Sequence, residues 1–200
     1  MKTHEDKRYI RGNQTVAALM RSAEIILAQK ENTNDLTVEE ICSRCQVTKG
    51  AFYHHFASKE SFFRQVYTLN MTAYMVKVIE AADQRYPHGP IAQIRAWIEG
   101  VARYTQDNQR EMAKYLYRGE PSEHWIHRVS GWSERVRTRL AQWQAHGILR
   151  SDVPAQALHQ YLDSFTYGMS SLALQGYIQL PLDERLVDAF IGTVLKAAQP

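Results

Sequence analysis

Apolar positions along this chain recur at the spacing of a helix, and no segment alternates convincingly at the two-residue period of a strand. Val16, Leu19, Met20, Ala23, Ile26 and Leu27 form one i, i+3, i+4, i+7 stripe. They predict a first helix from near Asn13 that fades in the polar run Lys30 to Asp35. Thr37, with Glu40 three residues on, reads as a capping box opening a short second helix that ends near Cys45. Thr48 caps a third short helix to about His55, and Ser58 caps a fourth with Glu60 beside its N-terminal dipole. The fourth carries Phe62, Val66, Leu69, Ala73, Val76 and Ile79 on one face to about Arg85, where Pro87-His88-Gly89-Pro90 breaks it.

Pro90 suits the first turn of a fifth helix, Ile91 to about Thr105. A sixth is expected around Arg110 to Tyr117, ended by Gly119-Glu120-Pro121. Ser122 to about Ala145 reads as a seventh, closed by Gly147 and followed by a loop to Pro154. Pro154 opens an eighth reaching about Gln175, and Asp183 to about Ala198 makes the last. The pattern predicts an all-α fold of about nine helices, without internal repeats or low-complexity segments.

Composition narrows the class without naming a function. The 200 residues are 44% hydrophobic and 22% charged, as in an ordinary globular protein. No stretch approaches the roughly 18 consecutive apolar residues of a membrane helix. The segment MKTHEDKRYIRGNQ lacks an apolar signal core, so a cytoplasmic protein without membrane association is expected. The formal net charge of +3 is compatible with nucleic-acid binding but too small to identify it. The placement of particular basic residues must decide.

Cys42 and Cys45 have the C-x-x-C spacing of a redox pair or half a metal site. Val38, Ile41, Cys42 and Cys45 recur at i, i+3, i+4, i+7, however, which puts both thiols on the apolar stripe of the second helix. No second C-x-x-C or nearby His pair completes a tetrahedral site. Packing is the expected role.

The informative stretch is Thr37 to Lys59, TVEEICSRCQVTKGAFYHHFASK. Two short helices joined by a tight turn make a helix-turn-helix, whose second helix enters the major groove. Ile41, Val47, Phe52 and Phe56 can pack these helices against the first. Thr48, Lys49, Gly50, Tyr53 and His54 then face outward. Gly50 and Ala51 are small enough for the backbone to approach base edges and thymine methyls. Tyr53, His54 and Lys59 can donate to phosphates, and the helix N-termini at Thr37 and Thr48 add backbone donors.

The run V-T-K-G-A-F-Y-H-H-F-A-S-K-E, Val47 to Glu60, resembles the signature of the TetR family of bacterial repressors. In that family a Val or Ile precedes a capping Ser/Thr, a small pair and an apolar residue precede Tyr-x-x-Phe, and a Lys opens the fourth helix. The resemblance covers about residues 13 to 68, and the order of nine helices matches the family's architecture. It implies that Thr37 and Tyr53 anchor phosphates and that Lys59 contacts phosphate from the fourth helix. Thr48, Lys49, Gly50 and Ala51 would face bases, with His54 at base or backbone. The chain departs from the family at the turn, usually Gly but here Gln46, and at the second helix, where Cys42 and Cys45 replace small residues.

The expected division is a DNA-binding head, residues 1–68 with reading helix 48–55, and an effector-binding and dimerisation body, residues 69–200. The body is rich in aromatics. An effector pocket is expected between the fourth, fifth, seventh and eighth helices, near Trp97, Tyr104, Trp125, Trp132, Phe165 and Met169. Glu99 and Asp163 are the acids nearest its inward faces. His124 and His127 sit three apart but read as a solvated face rather than a metal site, as do Arg135, Arg137 and Arg139. No metal and no cofactor are expected.

Leu158, Leu162, Phe165, Met169 and Leu172 repeat in steps of four and three, the seam of helix-on-helix packing. Leu186, Val187, Phe190, Ile191, Val194 and Leu195 span a wider face. The resemblance implies a four-helix dimer interface from these last two helices, centred on Leu158, Leu162, Phe165, Leu172, Phe190 and Val194. No glycine-rich phosphate loop, G-x-S-x-G elbow or H-E-x-x-H supports an enzyme. The reading is a homodimeric repressor, bound to palindromic double-stranded operator DNA and released by a small, mainly apolar effector. Its rivals are a thiol sensor using Cys42 and Cys45, and an interaction protein of the same fold without operator binding.

Overall fold

A computed structural model of the chain describes the backbone of residues 4–27, 36–109, 112–113 and 130–196, with the side chains of 14–26, 36–109, 112–113 and 132–196. The contacts divide the chain into two compact units, Met1–Tyr67 and Thr68–Pro200. Among the described residues there is no strand, only an isolated bridge between Leu149 and Lys196.

In the first unit, α1 (His4–Leu27) buries Leu19, Met20, Ala23 and Ile26 of the predicted stripe, with Val16 half-buried and the Leu27 side chain outside the described ones. It begins at His4 rather than near Asn13, because its first residues are polar and carry no stripe to betray a helix. α2 (Val38–Cys45) opens on the capping box: Glu40 N–H donates to Thr37 Oγ1 at 3.1 Å, and Thr37 N–H donates back to Glu40 Oε2 at 2.8 Å. α3 (Lys49–His55) starts with Ala51 N–H donating to Thr48 Oγ1 at 3.1 Å, and α4 (Lys59–Arg85) with Ser61 N–H donating to Ser58 Oγ at 3.0 Å. These side chains take up amide hydrogens that helix starts leave without backbone partners.

Between α2 and α3, Gln46 adopts φ 55, and its N–H returns to the carbonyls of Cys42 and Ser43. Val47 N–H closes onto Cys42 O at 2.9 Å. The left-handed residue that usually falls to glycine is here a glutamine, so the turn forms at some conformational cost.

The second unit contains α5 (Pro90–Asp107), α6 (Ser130–Ala145), α7 (Ala155–Leu174) and α8 (Glu184–Phe190), which continues as a π-helical turn, Ile191–Leu195. Its core includes Met75, Ile94, Ile98, Leu140, Leu158 and Leu195, all nearly or fully buried. Trp97 stacks on Trp143 with centroids 5.4 Å apart. A buried hydroxyl pair, Thr105 Oγ1 and Ser170 Oγ at 2.8 Å, ties α5 to α7. Arg139 reaches Asp83 at 2.8 Å, joining α6 to α4.

The expected sixth helix and the segment before Ser130 lie outside the described residues apart from 112–113. The last helix stops at Leu195 rather than Ala198. Lys196 turns extended, and Arg150 N–H donates to Leu195 O at 3.0 Å beside the Leu149 bridge. Backbone pairing with the loop after α6 therefore ends the helix, a tertiary cause that periodicity does not carry.

Gly100 fixes how α5 meets α4. A Cβ there would lie 2.6 Å from Val78 Cγ1. Valine on a helix is confined to one χ1 rotamer and cannot swing away cheaply. Gly100→Ala should therefore lower stability by about 1–3 kcal/mol, despite alanine's better helix propensity. Chemical denaturation measures it, and a variant at least as stable as the parent would show that Val78 yields.

Candidate nucleic-acid interface

The turn and its caps aim a small set of side chains outward. Phe52 of α3 and Phe56, the residue that caps its C-terminus, are buried against Phe62, with centroids 5.1 and 4.8 Å from it. The opposite face of α3 then belongs to Lys49, Gly50, Tyr53 and His54, all exposed. Tyr53 is 53% exposed although its ring packs edge-on to Phe52. Thr37 and Thr48 are exposed at the helix starts, and Ala51 and Lys59 are half-buried. All the residues assigned to DNA thus reach the surface of this unit.

Their chemistry differs in availability. Thr37 directs its hydroxyl hydrogen to Glu40 Oε2 at 3.1 Å, so its donor is engaged within the capping box. Lys59 Nζ lies 5.7 Å from the Phe63 ring centroid, a cation–π position that leaves its hydrogens free to turn. Lys49 is ion-paired with Glu39 of α2. Sequence reading missed that partner. Glu39 and Lys49 face each other only across the turn, and no spacing rule within one helix pairs them.

The thiols have the environment of packing groups. Cys42 is buried, and Cys45 is half-buried with Sγ donating to Ile41 O at 3.1 Å. Burial raises the Cys42 thiol above its ordinary pKa, and the neighbouring Cys45 adds to the rise. A reactive cysteine needs the opposite shift. Among the described residues no group of three His, Cys, Asp or Glu side chains could hold a metal ion.

In the second unit most of the described aromatic residues expected around a pocket are packed against other rings. Trp97 and Trp132 are buried, Trp97 in its stack with Trp143, and Tyr104 is buried against Tyr74 at 5.1 Å. Phe165 stacks on Phe190 at 4.0 Å and 11°. Trp125, His124 and His127 lie outside the described residues. Met169 lines a cavity of about 520 Å³ between α5, α7 and the residues from Pro181 into α8. Ile98, Ala102, Leu182 and Val187 complete its apolar surface, while Arg95, Glu99 and Arg103 give it a charged rim. The rings fill the core because burying such large apolar surfaces is the main stabilisation available to a small domain. Asp163 does not join that cavity. It sits 3.4 Å from His159 Nδ1, and burial pushes its carboxyl up to about 6 and the imidazole below its usual range.

The expected dimer seam also divides. Leu158 and Leu162 are buried in their own unit, Phe165, Phe190 and Val194 are half-buried, and Leu172 is 43% exposed. The outer apolar face runs instead through Tyr161, Phe165 and Leu172 of α7, with Leu186 of α8 51% exposed. A four-three repeat is narrow, but α7 buries a wider face than the repeat marks, which draws Leu158 and Leu162 inward.

Two short helices joined by a tight turn, the second presenting its polar face outward, have the geometry of a helix-turn-helix. Residues 22–66 match the family model of the bacterial regulatory proteins, tetR family. The chain is 31% identical over 163 residues to the HTH-type transcriptional repressor AcnR of Corynebacterium glutamicum, covering 80% of this chain and 82% of that one. It is 30% identical over 143 residues to AcnR of Corynebacterium efficiens, covering 70% and 72%. Its fold is similar to that of RolR in complex with resorcinol, with TM-score 0.65 at 14% identity, over 93% of this chain and 90% of the other. A TetR family protein from Vibrio parahaemolyticus gives TM-score 0.53 at 16% identity, over 90% and 98%. The chain belongs to the tetR family of bacterial regulatory proteins and is a regulator, not an enzyme. Among the described residues no helix is long and apolar enough to cross a membrane.

With Cys42 buried and its thiol raised, Cys42→Ala and Cys45→Ala should leave DNA binding within about twofold of the parent, and thiol-specific reagents should react slowly at neutral pH. Gel retardation with and without oxidant checks this. Oxidant-dependent loss of binding that disappears in either variant would reverse the assignment.

Proposed function

We propose that this chain is a homodimeric repressor: residues 1–68 bind a palindromic operator through α3, and residues 69–200 dimerise and bind a small effector that releases the DNA. The observation that carries the DNA reading is Gly50. It is exposed in the first turn of α3, and a Cβ there would meet nothing nearer than Thr48 Oγ1 at 3.8 Å. Glycine costs a helix about 1 kcal/mol relative to alanine. Among the described residues nothing requires it. A bare backbone between Lys49 and Ala51 lets a base edge or thymine methyl come close, with Thr48 and His54 beside it. Thr37, Tyr53 and Lys59 are the proposed phosphate contacts, with Thr37 first releasing its hydroxyl from Glu40.

Repression is supported by the AcnR relatives, each named a transcriptional repressor. The resorcinol in the RolR complex supports a small ligand as effector. In this chain the cavity beside Met169 suits a mainly apolar molecule whose polar groups meet the rim of Glu99 and Arg103. Because the boundary between the two units falls within α4, displacement of that helix is the proposed relay.

Full-length protein should retard the promoter region of its own gene more strongly than random duplex, with a log–log salt slope of about −0.9 per phosphate neutralised. Gly50→Leu should melt no lower than the parent yet bind the promoter at least about tenfold more weakly. Lys59→Ala should weaken binding to all sequences alike, whereas Lys49→Ala should also relax base preference. Equal affinity for promoter and random DNA would overturn the repressor reading.

The exposed face of α7 and α8 should bury more than about 1,000 Å² between two copies. Leu172→Glu, at an exposed position, should keep the fold and shift sedimentation from dimer to monomer. A wild-type monomer at micromolar concentration would rule this assembly out.

A further inference from the structure

Glu39 and Glu40 stand side by side at the start of α2 but do different things. Glu40 is committed to the capping box through Thr37. Glu39 reaches across the turn to Lys49, the first residue of α3, and the paired side chains are 57% and 54% exposed. An ion pair this exposed contributes little to folding. It matters more for what the reading helix can do. Lys49 is the basic residue best placed for base contact, and Glu39 occupies its ammonium before any DNA arrives.

We propose that Glu39 is a specificity-determining residue: it competes with DNA for Lys49 and holds down affinity for wrong sequences. The inference rests on the α2–α3 unit being the DNA-binding surface. Duplex DNA carries one negative charge per roughly 1.7 Å of its axis, so a carboxylate on the approaching surface opposes binding to every sequence. A lysine drawn to its carboxylate contributes less to a phosphate-only encounter than a free one does. A guanine at the correct position offers O6 and N7 acceptors that replace Glu39 as partner. Release of Lys49 is then compensated at the operator and not elsewhere. A lone lysine would bind phosphates indiscriminately, whereas a lysine that must leave an acid discriminates.

The test uses full-length wild type, Glu39→Gln, Lys49→Gln and the double variant. Fluorescence anisotropy would follow a random-sequence duplex and the promoter region of the chain's own gene across a salt series. Glu39→Gln should bind random duplex about three- to fivefold more tightly, with a salt slope steeper by about 0.9, as one ammonium becomes free for phosphate. Promoter affinity should rise less, so the ratio of promoter to random affinity falls. In the Lys49→Gln background the same substitution should leave the slope unchanged. Unaltered melting temperatures would confirm that these exposed changes leave the fold intact. Wild type that binds both DNAs equally would defeat the DNA-binding reading itself. Wild type that prefers its promoter while Glu39→Gln leaves random-duplex affinity and slope untouched would overturn only the role of Glu39. Equal slope changes in both backgrounds would also overturn it, because they would reflect a bare charge rather than competition for Lys49.

Discussion

The packing of Phe52 and Phe56 against Phe62 is the constraint on which the reading surface depends. α3 spans only Lys49–His55, too short to persist as a helix by its own propensity. Its stability and its rotation about its own axis come from these buried rings. Each aromatic pair contributes about 0.5–1.5 kcal/mol beyond its buried area, and edge-to-face geometry is directional as well as favourable. Once Phe52 and Phe56 face inward, the helical period leaves Lys49, Gly50, Tyr53 and His54 no choice but to face out. The caps at Thr37, Thr48 and Ser58 then set where each helix starts, which fixes the turn lengths between them.

What the sequence made legible was local. Thr37-x-x-Glu40 is a capping box because both hydrogen bonds close within one helical turn, so the residues alone suffice to recognise it. The inward set of α3 was readable for the same reason. Gln46 at φ 55 was not, since the side chain there argues against the conformation it adopts. Nor was the Glu39–Lys49 pair legible, because it forms between two helices whose mutual placement the turn decides.

The body was less legible for a related reason. Aromatic residues at helical spacing carry no mark that separates a core from a pocket wall. Trp97 and Trp132 are buried in the core, although neither indole Nε1 has a hydrogen-bond partner among the described residues. The apolar gain of burying an indole evidently exceeds the loss of one polar contact, which is worth about 1–3 kcal/mol. The cavity beside Met169 is lined by aliphatic rather than aromatic side chains, Ile98, Ala102, Leu182 and Val187 among them.

The two glycines at contact positions show how a structure can distinguish an inner from an outer constraint. Gly100 has its explanation inside the molecule, in the 2.6 Å that a Cβ would leave to Val78. Gly50 has none among the described residues, where a methyl group would fit without strain and would favour the helix. Gln46 in the left-handed region and Glu39 set against the first lysine of α3 lie within the same two helices and their turn. Each departs from what would best stabilise or charge this unit by itself. Local rules that are broken without internal compensation concentrate where a protein meets something else. In the first unit that place is the outer face of α3, the face that the proposed function gives to DNA.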